Sequence, residues 1–249
     1  MLSFEEVSNQ GERVLEGDRE EVLRSHRDRY RFASEFLEPG DLVLDAACGS
    51  GYGCSILAET GASVVGLDTS ATALEYARAH CRSKTVSFQL GSVTDLEQPA
   101  EKFDAYCSFE TVEHVEEPEK LIAEAARVLK KRGVLILSTP NRISSELAKG
   151  QKPENPFHLF EWDLPELDSA LRAQFVTAEY YGQRIRSRNK FHPLYVESKV
   201  KRLFSIDDIV RIRADTVSVQ PMNFIAVCRK SPKDGKSMNS AIGLPVGHG

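Results

Sequence analysis

Between residues 42 and 137 short apolar runs alternate with amphipathic helical stretches, and that alternation leaves few folds open. Leu42-Val43-Leu44 reads as a first strand, followed by a glycine turn and a helix over about 52–59. Ser63 to Leu67 is a second strand, after which Ser70 caps a helix with Leu74, Ala77 and Cys81 on one face. Val86 to Leu90 and Phe103 to Phe109 are the third and fourth strands. Leu121, Ile122, Ala125, Val128 and Leu129 form a helical stripe, with Glu116, Glu117 and Glu119 at its start and Lys130, Lys131 and Arg132 at its end. That charge order suits the helix dipole. Gly133 is expected to end this helix, and Val134 to Leu137 is a fifth strand. Strands alternating with helices predict a parallel sheet covered on both faces.

The flanks read differently. Residues 19–38 have helical composition and stop at Pro39-Gly40. Pro165 to Arg172 reads as a helix, with strands at Phe175 to Tyr181 and Asn223 to Arg229, about forty residues apart. The expected organisation is a helical lid over 1–40, a main domain over 41–230 with an insertion at 183–221, and a disordered tail at 231–249, where no periodicity is visible.

Net charge is −5, which weighs against a general nucleic-acid binder. The cysteine count is odd, with no CxxC pair, so structural zinc and a disulfide framework are poor readings. No apolar run approaches the roughly 20 residues of a membrane span, and the acidic N-terminus lacks the apolar core of a secretory signal. A cytoplasmic protein is expected.

The turn after the first strand is Asp45-Ala46-Ala47-Cys48-Gly49-Ser50-Gly51-Tyr52-Gly53. Glycines let a ligand approach the backbone, and the helix start offers free N–H groups. A dinucleotide is disfavoured on two grounds. The spacing is GxGxG rather than GxGxxG, and Asp45 beside the loop would repel a pyrophosphate. It would attract a cation, and S-adenosylmethionine (SAM) carries an ammonium and a sulfonium but no phosphate. Asp68, at the tip of the second strand, can accept two hydrogen bonds from a ribose diol. Alternatively, Asp45 and Asp68 only cap helices and turns.

VLDAACGSGYG, VVGLDTS and FDAYCSFETVEHV, followed by a helix and GVLILSTPN, resemble the successive motifs of class I SAM-dependent methyltransferases over about residues 41–141. The resemblance implies a seven-stranded Rossmann-like α/β sheet, mostly parallel with an antiparallel last strand. It places Asp45, Ala47, Gly49 and Gly51 around the methionine end, Asp68 and Thr69 at the ribose, Ser92 and Val93 at the adenine, and Phe109 in the pocket wall. Ser92 stands where the family often has Asp, so a charged contact to the adenine amine is not expected. Arg29 or Tyr30 can lid the site, or be ordinary surface helix residues; for Arg29 the surface reading is preferred.

Glu110, Glu113 and His114 follow the fourth strand, and a helical turn would put the two acids on one face. With His158 they are similar to the ExxEH…H metal site of small-RNA 2′-O-methyltransferases and to the EH motif of ubiquinone-biosynthesis O-methyltransferases. The resemblance implies a divalent Mg, Mn, Co or Zn ion polarising a substrate hydroxyl. The alternative is that the acid caps a helix and the histidine packs; His114 or His158, with Glu113 nearby, would then serve as general base. Glu161 and Trp162 are read as loop supports.

Residues 183–213 hold nine Lys or Arg against Glu197, Asp207 and Asp208, leaving −11 on the remainder. Either an anionic partner or a solvated face explains this segment. STPN, NPFH and FIAVCRK also resemble stand-alone bacterial methyltransferases of polysaccharide or natural-product pathways. The expected function is methyl transfer from SAM to a hydroxyl of a small polyhydroxylated, sugar-like or natural-product acceptor, with an anionic acceptor among the candidates. N-methylation of a small amine, RNA 2′-O-methylation and a non-catalytic SAM-binding subunit are the alternatives.

Overall fold

The computed structural model describes residues 20–186, 209–212 and 220–231. Helix α1 (Glu20–Ser34) leads into β1 (Leu42–Ala46), α2 (Tyr52–Ala58), β2 (Ser63–Asp68), α3 (Ala71–His80), β3 (Val86–Leu90) and β4 (Phe103–Phe109). A short 3-10 turn (Val112–His114), α4 (Pro118–Val128), β5 (Leu129–Pro140), α5 (Leu164–Arg172), β6 (Thr177–Arg186), β7 (Ile209–Ile212) and β8 (Gln220–Arg229) follow. The strands form one sheet in the order β3-β2-β1-β4-β5-β8-β6-β7. Strands β1 to β5 pair in parallel. Strand β8 inserts antiparallel between β5 and β6.

Consecutive residues of the central strands point to opposite faces, and both faces are buried. Val43, Val64 and Ile136 pack with Tyr30, Ala33, Leu57 and Leu74 from α1, α2 and α3. Their neighbours Leu44, Val65, Leu135 and Leu137 pack with Leu121, Ile122, Ala125 and Leu167 from α4 and α5. This is the Rossmann-like arrangement expected. The strand order reverses between β1 and β4, and the crevice beyond their C-terminal ends is where open α/β sheets bind ligands.

Three expectations need correction. The described sheet has eight strands rather than seven, because Ile209–Ile212 pairs antiparallel with β6 as an edge strand. Four residues inside a basic segment carry too little periodicity to announce a strand. Second, α4 stops at Val128, and Leu129 to Arg132 belong to β5. Leu129 pairs with Phe103, and Lys130 Nζ lies 2.8 Å from each carboxylate oxygen of Asp104, so cross-strand contacts override the helical pattern. Third, β6 and β8 pair out to Arg186 and Gln220, beyond their apolar runs. The first nineteen residues of the expected lid, the tail beyond 231 and most of the basic insertion lie outside the described residues. No described helix is long and apolar enough to cross a membrane.

Tyr30 is the largest apolar contact by which helix α1 meets the sheet. Tyr30 is buried, with its ring edge-on to Phe109 at 4.8 Å and Tyr52 at 5.6 Å between centroids. The ring fills the space that a side chain at position 53 would take, since a Cβ on Gly53 would fall 2.0 Å from it. Gly53→Ala is therefore expected to destabilise the protein by about 1–3 kcal/mol, the usual cost of overpacking. Urea unfolding of the variant against the parent checks this.

Candidate active site

A cavity of about 740 Å³ opens at the C-terminal ends of β1, β2 and β4. Its floor is the glycine turn. Cys48 N–H donates to Leu67 O at 2.9 Å and Gly51 N–H to Cys48 O at 3.0 Å, which folds the turn back over β2. Asp68 ties it down, accepting from Gly49 N–H at 2.9 Å and from Ser70 N–H at 2.8 Å. The capping alternative for Asp68 thus describes part of its work, yet the residue also lines the cavity.

The glycines do different jobs. Gly49, at φ +54°, has nothing within 4 Å of where a Cβ would sit and lines the open space. Gly51 lies away from the cavity lining, and a Cβ there would strike Ala77 and Phe88 at 2.8 Å. Ala47, Gly49, Asp68, Thr69, Ser92, Val93 and Phe109 all line the cavity, as their sequence positions imply.

Asp45 does not line it. Its carboxylate is fully buried behind Tyr30, accepting from the Tyr30 hydroxyl at 3.2 Å and from the Cys54 thiol at 3.1 Å. Burial pushes its pKa up to about 7, against the two hydrogen bonds and with a contribution from the Asp68 charge.

Arg29 reverses its surface reading. It is 2% exposed and lines the cavity, donating from Nε to Gln183 Oε1 at 2.7 Å. Its Nη1 lies 3.4 Å from Glu110 Oε1. Helical periodicity marks Tyr30 and Ala33 for burial but gives no signal for a buried guanidinium whose partner is 154 residues away.

The set after β4 splits in two. Glu110, at φ +50°, precedes the 3-10 turn instead of sharing a helical face with Glu113. Its carboxylate accepts from Ser138 Oγ and Asn223 Nδ2, both at 2.7 Å, and faces Arg29. Glu113, His114 and His158 do converge, each offering a ligand atom within 4.8 Å of the others. Glu113 is fully buried; Thr139 Oγ1 donates to its Oε2 at 3.0 Å, while Oε1 has no hydrogen-bond donor among the described residues. Burial and the nearby Glu110 charge hold this carboxyl well above the usual carboxylate range.

Hydrogen bonds fix both imidazoles. His114 Nδ1 faces the Phe157 carbonyl at 2.9 Å, which only accepts, so Nδ1 carries the proton. Nε2, the lone-pair nitrogen of the neutral ring, lies 4.0 Å from Glu113 Oε1. His158 Nδ1 donates to Glu161 Oε1 at 2.9 Å. Asn155 Oδ1 accepts from Phe157 N–H, so its Nδ2 donates to His158 Nε2 at 3.0 Å. Burial works against ionisation of Glu161, but bonds from His158 and Ser145 outweigh it and hold its pKa below the usual range. The loop-support reading of Glu161 was too narrow: it orients His158 and lines the cavity. The NPFHLFE spacing puts Asn155, His158 and Glu161 three residues apart, a signal sufficient to group them.

Residues 44–137 match the methyltransferase domain family. Over 227 residues the chain is 29% identical to a Mycolicibacterium smegmatis protein named a probable S-adenosylmethionine-dependent methyltransferase, covering 85% of this chain and 87% of that one. It is 41% identical over 102 residues to a ubiquinone biosynthesis O-methyltransferase of Chelativorans, covering 40% of each. The chain spans half or less of the length of the ubiquinone enzymes it matches. An S-adenosylmethionine-dependent methyltransferase structure from Mesorhizobium loti, 18% identical, superposes with a TM-score of 0.57 over 81% of this chain and 97% of that one, a likeness of fold. Strand order, glycine turn and these matches together support a class I SAM-dependent methyltransferase.

The raised pKa of Asp45 has a signed consequence. A carboxyl protonated more tightly when folded contributes stability that is full below about pH 4 and lost as pH rises through about 7. From pH 5 to 8 this group should cost the parent about 2–3 kcal/mol. Asp45→Asn is expected to remove that decline, measured by urea unfolding at both pH values.

Proposed function

We propose that this methyltransferase acts on a hydroxyl of a small polyhydroxylated acceptor, with His114 as general base. The observation that carries the reading is the His114 ring, which lines the cavity, is held at Nδ1 by the Phe157 carbonyl and has its Nε2 4.0 Å from Glu113 Oε1. SAM supplies a methyl group already activated by its sulfonium, so the protein's tasks are to align the acceptor and take a proton. Asp68 would hold the ribose, Ser92 and Val93 the adenine, and the open face of Gly49 the backbone approach; the cavity's size and its polar cradle around Asp68 fit such a ligand. His158, Glu161 and Ser145 offer further hydrogen bonds to acceptor hydroxyls. The O-methyltransferase names of the ubiquinone relatives support a hydroxyl over an amine. The basic segment that motivated an anionic or RNA acceptor lies mostly outside the described residues, and Arg211 pairs with Glu179 at 3.1 Å.

A second reading rests on the buried Oε1 of Glu113. Glu113, His114 and His158 supply one carboxylate and two imidazoles, a donor set suited to a divalent ion, without Glu110. Such an ion would supply Lewis-acid polarisation of the acceptor hydroxyl. Asn155 would have to leave His158 Nε2 for that nitrogen to ligate.

A labelled-methyl screen over polyols, sugars, phenols, amines and RNA identifies the acceptor class, with hydroxyl products expected. Against that acceptor, His114→Ala should lower kcat by about 10²–10⁴, the range of general-base catalysis, with cofactor affinity intact. Turnover is expected to survive exhaustive chelation. Loss on chelation, with recovery on adding Mn or Co and the same loss in His158→Ala, would assign the metal reading instead. Separately, Asp68→Ala should weaken SAM binding by about tenfold or more, since charge-assisted hydrogen bonds contribute about 1.5–3 kcal/mol; unchanged affinity by calorimetry would rule out the assigned pocket.

A further inference from the structure

Among the described residues five large apolar side chains are exposed, and of these Phe157 alone lines the cavity. The segment that carries it treats its aromatic rings in two ways. Phe160 and Trp162 pair at 4.8 Å between centroids and pack against the core on the α4 and α5 face of the sheet. Phe157 is 53% exposed, joins neither main core cluster and makes no ring contact among the described residues. Its backbone is nevertheless pinned. The N–H donates to Asn155 Oδ1 at 3.0 Å and the carbonyl accepts from His114 Nδ1 at 2.9 Å. Two residues on, Leu159 N–H donates to the Glu113 carbonyl at 2.9 Å. A large apolar ring is thus held in reach of water on a fixed backbone, one hydrogen bond from the proposed base. Covering it would gain free energy, and nothing among the described residues does so.

We propose that Phe157 is the platform on which the acceptor lies, and that the acceptor is a cyclic polyol, a sugar ring whose apolar C–H face rests on the phenyl group. The inference rests on the reading above, in which an acceptor hydroxyl gives its proton to His114. The polar lining decides the class of ligand. The His158 ring stands 4.9 Å from that of His114, and Ser145, Glu161 and Asn223 line the same cavity. Each carboxylate oxygen of Glu161 accepts one hydrogen bond and has room for another. Asn223 donates to Glu110 through Nδ2, which leaves Oδ1 as an acceptor. A simple phenol has an apolar face but too few hydroxyls to meet these groups. An open-chain polyol has the hydroxyls but no continuous apolar face to cover Phe157. A sugar ring has both, with hydroxyls round its edge and C–H bonds on its face. An apolar wall with a few placed polar groups is the usual way a pocket fixes a ligand's orientation. Phe157 is then a specificity residue: by fixing the plane of the ring it selects which hydroxyl stands at His114.

The test uses matched pairs of acceptors: methyl pyranosides of gluco, manno and galacto configuration against the hexitols sorbitol, mannitol and galactitol. Methyl transfer from labelled SAM is measured on the parent, Phe157→Ala and Phe157→Trp, with thermal melts to show that each is folded. The parent should prefer at least one pyranoside over its hexitol. Phe157→Ala should lower that preference, the ratio of the two kcat/KM values, by about fivefold or more, acting through KM for the pyranoside. Phe157→Trp, which keeps a flat apolar face, should hold the ratio within about twofold of the parent. An equal fall for both acceptors would overturn the proposal and make Phe157 a support for His114. Turnover of hexitols with no pyranoside accepted would overturn it while the hydroxyl reading stands. Faster turnover of a phenol than of any pyranoside would overturn it in favour of an aromatic acceptor. Methylation of amines alone would reject the hydroxyl reading and the platform with it.

Discussion

The seat of Tyr30 in the space left open at Gly53 holds the site together. It presses α1 onto the sheet and closes the side of the cavity. Its hydroxyl donates to Asp45 beneath the glycine turn, so one phenol links the cover, the turn and the end of β1. Because Tyr30 is locked, the next residue back along the helix, Arg29, is held against the cavity wall. An apolar ring at position 30 would fill much of the same volume but would leave Asp45 with only the Cys54 thiol as a donor. A fully buried carboxylate with one weak donor is expensive.

Asp68 does for the far wall what Tyr30 does for the near one. Its two backbone hydrogen bonds join the tip of β2 to the glycine turn and to the start of α3. The ligand-facing position of Gly49 follows from that tie. The acidic residues at the ends of β1 and β2 thus have separate duties. Asp45 is interior and bonded to Tyr30 and Cys54, while Asp68 ties the turn and meets the cavity. The end of the cavity beyond β4 is built by returning loops: Ser138 and Thr139 from β5, the 155–161 segment and Asn223 from β8 converge on the residues that follow β4. This division lets one sheet hold a fixed glycine-turn end of the cavity while the other end varies with its loops.

The sheet up to β5 was legible in the sequence because a parallel strand buried on both faces must be apolar throughout, and each such run is separated by a helix with a one-sided stripe. The glycine-turn end of the cavity was legible for a related reason. The turn at 45–53 and Asp68 occupy fixed positions at strand ends, so their places in the chain imply their places in space. Boundaries were less legible wherever pairing extends into polar residues, as at Leu129 to Arg132 and at Gln183 to Arg186.

The sequence by itself determined the βα alternation, the glycine turn, and the pairing of Asp45 and Asp68 with successive strand ends, since these depend on periodicity and local turn chemistry. Only the tertiary structure decided that Asp45 is interior, that Arg29 lines the cavity, and that Glu113, His114 and His158 meet while Glu110 turns away to Ser138 and Asn223. Those outcomes rest on partners far apart in the chain. Gln183 is 154 residues from Arg29, and Asn223 is 113 from Glu110. The direction of a buried charged side chain follows from which distant partner completes its hydrogen bonds, and no local pattern of residues carries that information.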